Sequence, residues 1–541
     1  MRNNKFLFIL IITLISLLFS CNPSNQEPID DETESKTPDI IEEEPTPSYG
    51  GEINISTQNP NTLNPILNTD RSTDQLLKLV FEPLFKLDEK QKPVPNIIKS
   101  YELSETGNNI LLTLKNDLFW HDSQPIVADD IIFTINQLKD TKTNVVYKKN
   151  VENISRVSKV DDFTVRIYFN QPSFMNMYTF LFPIIPKHYY EDNMKIDSET
   201  NYNPIGNGMY IFEDYRPMKE VKLVANDNWV NEPPYIKTIN AIIINDNETD
   251  INAFEQNIID LLSPSQFNWQ NFAEKENISI KEYTSYYYDF IGFNFNNPIL
   301  NDINVRKAIA YGINREEIIS NIFLNHALVT DVPLHPESWL SNNNDLFYDY
   351  NEDESKKLLI DAGWIDSDEN SLNDENQLSI RLLVNNQDTI KDQVAETIKD
   401  NLDSIGFNIE IISVDYETYK TMIVERDFDI VLASWKLSPI PDLSFAFHSE
   451  NQDIGLNFID YSDEKMDALL KTAYNSYTDR STENAYNELL NYVQEQLPYY
   501  SLYFKNSATI LNGKIYGDLM PNTYNILNGF ENLFIYDAEN N

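Results

Sequence analysis

Residues 378–435 restrict the fold of this chain more than any other stretch. Residues 378–384 alternate apolar and polar positions as a strand does. Ile390, Val394, Ile398, Leu402 and Ile405 then fall on one helical face, and Gly406 follows where a left-handed cap belongs. Residues 407–414 read as the next strand. Residues 428–435 are largely apolar, the pattern of a strand buried on both faces. Strand, helix, strand in that order predicts a parallel pair joined by a crossover, expected to be right-handed. The fold class read from this stretch is α/β.

The start of the chain is of another kind. Arg2 and Lys5 precede an apolar run over residues 6–20, too short to span a bilayer comfortably, and Cys21 follows. This predicts a secretory signal over residues 1–21. The placement of Cys21 resembles a bacterial lipobox, which implies that this cysteine is lipidated and ties the rest of the chain to the outer face of a membrane. Cys21 is the only cysteine, so no internal disulfide is available and the body must rest on its core. Residues 22–48 carry Glu27, Asp30, Asp31, Glu32 and Glu34 among Pro23, Pro28, Pro38, Pro45 and Pro47, without an aromatic before the last of these prolines. Such a segment buries too little to fold and reads as a disordered tether.

About 520 residues remain after the leader, too many for one ordinary core, so two or three domains are expected. The formal charge of -44, from 85 acids against 41 bases, argues against nucleic acid and anionic lipid as partners. The body is predicted to begin near Gly50 and Gly51, with Ile53 and Ile55 alternating as in a strand and residues 59–65 as a loop. Leu76, Leu77, Val80, Phe81 and Leu84 are at helical spacing over residues 73–84. Residues 109–115 and 163–169 read as strands, and residues 128–138 as a helix with Asp129 and Asp130 at its positive end. Two helices are predicted over residues 302–323, the second opened by a capping box of Asn314 and Glu317.

The chain carries no recognisable catalytic constellation. His121, His188, His326, His335 and His448 are scattered, with no zinc-binding spacing, nucleophile elbow or P-loop. Gly206-Asn207-Gly208 reads as a turn. Trp120 reads as core packing, and among Tyr286, Tyr287 and Tyr288 at least one is expected to face the core and one to face out. In an open α/β sheet, ligands sit beyond the carboxyl ends of the strands. The strand ending at Trp435 delivers Lys436, Ser438 and Asp442 to that position, in a loop stiffened by Pro439 and Pro441. Core packing is an equal alternative for Trp435. A secreted hydrolase working through two carboxylates stays open, without specific support.

Several motifs together resemble the extracellular solute-binding proteins of the oligopeptide, dipeptide and nickel class, family 5, which serve ABC importers. They are Thr62-Leu63-Asn64-Pro65 with residues 80–84, the run from Phe119-Trp120-His121-Asp122 to Ala128-Asp129-Asp130, and Asn203-Pro204-Ile205-Gly206-Asn207-Gly208-Met209-Tyr210. Gly292-Phe293-Asn294 with residues 305–315, and residues 427–430 leading into Trp435, complete the set. The likeness spans residues 49–541. It implies a two-lobed periplasmic-binding-protein-like fold (type II, cluster C) with a hinge. Domain I would comprise residues 49–85, 201–285 and 506–541, domain II residues 86–200, and domain III residues 286–505. It further implies a monomeric, non-enzymatic receptor without cofactor or metal. That receptor would hold a peptide or other small polar solute between the lobes and deliver it to a permease with its ATPase. A sensing or scavenging receptor without a transport role is the alternative. Trp435, Lys436, Ser438, Arg71, Tyr287 and Asp442 are the expected ligand contacts. Peptide-binding members often carry an aspartate where Ser438 stands, to meet the ligand amine, and a serine gives no charge-assisted bond there. Arg71 with Lys436 would suit a ligand carboxylate, with surface charge balance as the alternative for Arg71. His448 alone is weak support for a metal complex as ligand.

Overall fold

Alternating and fully apolar segments meet in one mixed sheet of 11 strands. The computed structural model describes residues 45–264, 267–273, 275–341, 347–364, 378–452 and 456–536. The predicted leader, Cys21 and the tether as far as residue 44 lie outside these residues. From one edge the sheet runs Asn408–Val414, Ser379–Asn385, Ile430–Lys436, Ile278–Phe293, Tyr499–Asn512, Leu261–Leu262, Gly50–Thr57, Ile236–Ile243, Glu220–Ala225 and Tyr210–Arg216. Ala327–Val329 is added along Tyr499–Asn512. Ser379–Asn385 is parallel to both of its neighbours, as the crossover pattern requires.

The sheet is held together by two long antiparallel strands, Ile278–Phe293 and Tyr499–Asn512. Their ladder is interrupted between Thr284 and Tyr288 and again between Asp289 and Phe290. A separate antiparallel sheet of four strands lies within residues 98–169, with the helix Ala128–Asp140 packed on it. Among the described residues no helix is long and apolar enough to cross a membrane.

Most predicted elements form, and the differences have local causes. The helix expected over residues 73–84 is Arg71–Leu77 and stops early, although Leu76, Leu77, Val80, Phe81 and Leu84 are all buried. Its continuation is prevented by tertiary bonds. The Val80 carbonyl accepts from the Asn207 and Gly208 amides at 3.0 and 2.8 Å, and the Leu79 carbonyl from the Tyr210 amide at 2.9 Å. The turn at Gly206-Asn207-Gly208 is therefore structural. A Cβ at Gly206 would lie 1.9 Å from the Val80 oxygen, so only glycine lets the two backbones approach. The capping box at Asn314 is half made. Its side chain accepts from the Glu317 amide at 3.1 Å, while its own amide donates to Asn401.

Trp120 is 2% exposed and donates to Asp130 Oδ2 at 3.2 Å. The same carboxylate accepts from the Val127 and Lys187 amides at 3.0 and 2.8 Å. Asp130 thus closes the start of its helix inside the protein, and the signature around Trp120 is a folding device.

Candidate functional site

The strand Ile430–Lys436 carries the candidate site, and only part of it is paired on both edges. Its register with Ile278–Phe293 runs from Ile430 opposite Phe293 to Lys436 opposite Tyr287. On the other edge, Ser379–Asn385 reaches only Ile430 and Val431. The Leu437 amide donates to the Tyr286 carbonyl at 2.9 Å. In an antiparallel ladder hydrogen-bonded pairs alternate, so Trp435 turns its backbone toward Tyr288, while Ser434 and Lys436 turn theirs to the open edge. The Leu432 carbonyl faces that edge too, and the Tyr419 hydroxyl covers it at 3.1 Å. Among the described residues nothing covers the Ser434 and Lys436 backbone groups in the same way.

Side chains fix this edge from both faces of the sheet. On one face Trp435 is half-buried, stacked 6.2 Å from Phe290 and edge-on to Phe445 at 5.1 Å. Its indole N–H faces the Tyr499 hydroxyl without reaching hydrogen-bonding geometry. Trp435 packs into an aromatic cluster and stands beside the open edge. On the other face the Ser434 hydroxyl donates to fully buried Asp289 at 2.6 Å, and Lys505 stands 3.3 Å from the second carboxylate oxygen. Lys436 lies 5.0 Å from the centre of the Tyr287 ring. Of the three tyrosines, Tyr286 and Tyr288 are buried and Tyr287 is 38% exposed, as alternation requires.

The loop after Lys436 is preorganised by its own polar groups. The Ser438 hydroxyl donates to the Ile440 carbonyl at 3.1 Å, and the Asp442 amide donates to the same carbonyl at 2.9 Å. Asp442 accepts the Ser444 amide at 2.9 Å, and the Tyr486 hydroxyl donates to the Pro441 carbonyl. Ser438 and Asp442 are thus engaged locally. They line a cavity of about 20 Å³ with Gln91, Tyr286 and His335, room for one water and not for a solute. His335 donates to the Thr284 carbonyl at 3.1 Å, and burial pushes its pKa down to about 4, so it is neutral near pH 7.

Arg71 stands elsewhere, exposed at the start of Arg71–Leu77. It is Lys78, one turn beyond that helix's buried Asp74, that lines a cavity of about 120 Å³ with Tyr147, Glu82, Trp229 and Tyr524. The Tyr147 hydroxyl donates to Asp74 at 2.6 Å, and burial raises the pKa of Glu82. His448 accepts the Glu450 amide at 3.2 Å and lies 3.7 Å from Asp467. Among the described residues no group of three or more His, Cys, Asp or Glu could hold a metal ion.

Three contacts were invisible in the sequence. The Tyr286 amide donates to Thr523 at 3.2 Å, the Tyr286 hydroxyl donates to Gln91, and Trp339 donates to the Tyr178 hydroxyl at 3.0 Å. Each joins segments more than 150 residues apart, which no local pattern announces.

The mixed α/β body matches a defined class. The sequence profile of bacterial extracellular solute-binding proteins, family 5 (middle region), covers residues 92–453, and the chain belongs to this family. It is 25% identical over 479 residues to the oligopeptide-binding protein AppA of Bacillus subtilis, covering 85% of this chain and 87% of that protein. The solved structure of AppA with a nonapeptide aligns with a TM-score of 0.62 at 24% identity, covering 91% of this chain and 100% of AppA. The ABC transporter substrate-binding protein CtaP of Listeria monocytogenes aligns at 0.76, also at 24% identity over 91% of this chain and 100% of that one. NikZ of Campylobacter jejuni, solved with Ni(L-His), aligns at 0.65 and 24% identity, covering 89% and 99%. These likenesses establish the two-lobed binding-protein fold.

Proposed function

We propose that this protein is the substrate-binding receptor of an ABC importer and that its solute is a peptide. The open edge of Ser434 and Lys436 carries this reading. An extended peptide can add to it as a further strand, with main-chain bonds giving affinity and flanking side chains giving selectivity. Membership of the family and the likeness to AppA, solved with a nonapeptide, support the same class of solute. Trp435 flanks the bound chain, while Lys436 and Tyr287 meet it from the other face. Ser438 and Asp442 shape the loop, and Arg71, exposed at the start of its helix, belongs to the same proposal. Because Ser438 and Asp442 are engaged locally, the ligand amine is not the principal anchor.

The receptor is monomeric and non-enzymatic, is anchored through lipid at Cys21 on the outer face of the cytoplasmic membrane, and hands its peptide to a permease and ATPase. The division into domain I (49–85, 201–285, 506–541), domain II (86–200) and domain III (286–505) belongs to the same proposal. The four-stranded sheet lying wholly inside 86–200 is in keeping with it.

Native mass spectrometry of the protein purified gently from a peptide-rich medium, followed by denaturing release, tests the solute class. Co-purified peptides are expected. A single non-peptide species would remove the peptide while leaving the receptor.

A further inference from the structure

A second strand edge lies three strands across the sheet from Trp435. Ala327–Val329 pairs with residues 503–505 on one side only. The Asn506 amide donates to the His326 carbonyl at 3.1 Å, and the Thr330 amide points to the Leu502 carbonyl at 3.4 Å. By alternation Leu328 bonds to Phe504, and Ala327 and Val329 turn their N–H and C=O groups to the side away from Tyr499–Asn512, where Ala327 is 8% exposed and Val329 half-buried. They face an open groove of about 1240 Å³, floored by residues 327–332 and walled by the helices Arg315–Asn321 and Asp479–Gln496.

The groove has a definite chemistry. Leu328 is 45% exposed and Phe347 48% exposed, and Leu490 lines the wall behind them. Glu316, Glu317 and Glu337 ring the groove, and among the described residues none of the three makes an ion pair. An unpaired edge is a template for another chain, and natural proteins normally guard such edges with lysine, proline or a cover. Here the flanking charges are acidic, which repels like charge and favours the opposite. The chain's own acidic residues 22–48 are therefore poor occupants, and so is a second copy of a chain with a formal charge of -44.

We propose that this groove docks an extended, cationic and apolar segment of another protein by strand addition to Ala327–Val329. Backbone bonds to Ala327 and Val329 set the register. Alternate apolar side chains cover Leu328 and Phe347, and the basic side chains between them reach Glu316, Glu317 and Glu337. The site is separate from the edge at Ser434 and Lys436, so the receptor can carry its solute and this partner together.

The probe is a short peptide of alternating lysine and valine, acetylated and amidated, added to the full-length protein in mild detergent. Fluorescence anisotropy is expected to show binding that weakens with salt, since exposed charges are screened. Amide exchange at Ala327 and Val329 should slow on binding. The double variant Glu316→Lys/Glu317→Lys should weaken binding by about tenfold or more, and Val329→Pro should remove the protection at Ala327. In Trp435→Ala the slowed exchange at Ala327 and Val329 should persist. Binding lost in Trp435→Ala but kept in the charge-reversed variant would place the probe at the other edge and overturn the proposal. So would no binding, equal binding of a glutamate-valine peptide, or concentration-dependent dimers that disappear in Val329→Pro.

Discussion

Replacing Lys436 by proline removes one N–H from the open edge and little else from the folded protein. The amide points away from Tyr287, so no bond of the ladder with Ile278–Phe293 is lost. Lys436 is exposed and ends its strand, where proline is tolerated, and the preceding Trp435 is already extended. If a peptide adds along this edge, its carbonyl opposite position 436 is left buried and unpartnered, a cost of about 1–3 kcal/mol. At about 1.4 kcal/mol per decade, affinity should fall by roughly five- to a hundredfold. Lys436→Ala is the control. It keeps the N–H and loses only the side chain, which lies 5.0 Å from the Tyr287 ring and meets the bound chain from one face. Isothermal titration of both variants, with a peptide identified by mass spectrometry, separates the two contributions. Equal losses in the two variants, or none in the proline variant, would refute strand addition at this edge.

Three further outcomes follow from the packing. Arg315 is buried and donates to Asp331 at 2.6 Å and to the Thr330 and Ser501 carbonyls at 2.8 and 3.0 Å, so Asp331→Asn leaves a buried cation unpaired. It should cost about 3–5 kcal/mol in urea unfolding, and a loss under about 1 kcal/mol would mean that the guanidinium is hydrated. Gly208→Ala sets a Cβ 2.6 Å from the Leu79 oxygen and should lower the thermal midpoint by several degrees, on the order of 2 kcal/mol or more; an unchanged midpoint would show that the turn yields freely. His335 is neutral in the fold with its pKa pushed down to about 4, while the unfolded chain takes up a proton near 6.5. Its contribution, roughly 3 kcal/mol, is complete above the unfolded value and is lost as pH falls from about 6.5 to 4. His335→Gln should flatten urea stability over that window, and an unchanged slope would show that the imidazole titrates freely.

What the sequence disclosed depends on how each element is buried. The three strands and the first helix of residues 378–435 were legible because each keeps a regular apolar pattern. Tyr499–Asn512 was not, because Tyr499, Tyr500, Ser501, Leu502, Tyr503 and Phe504 are all buried and alternation disappears. The helix Tyr416–Glu425 was missed for the opposite reason, since only Tyr419 is buried and no apolar stripe marks it. At the site, Trp435 and its loop could be located from the strand that delivers them. The open backbone at Ser434 and Lys436 could not, because it depends on how far Ser379–Asn385 reaches along its neighbour. Nor could the buried Asp289 beneath Ser434, or Thr523 and Gln91 beside Tyr286, which arrive from distant parts of the chain.

The interruption of the long ladder between Thr284 and Tyr288 has a mechanical meaning. Elsewhere, bending this pair of strands would break main-chain bonds one after another. Over residues 285–287 those bonds to the partner strand are already absent, and the Tyr286 and Tyr287 amides are held by the hydroxyls of Thr523 and Ser285 instead. A hydroxyl swings about a single bond and keeps its partner through a change of angle that a rigid carbonyl would not follow. The ladder thus contains a compliant joint whose softness is local, with main-chain pairing on either side of it.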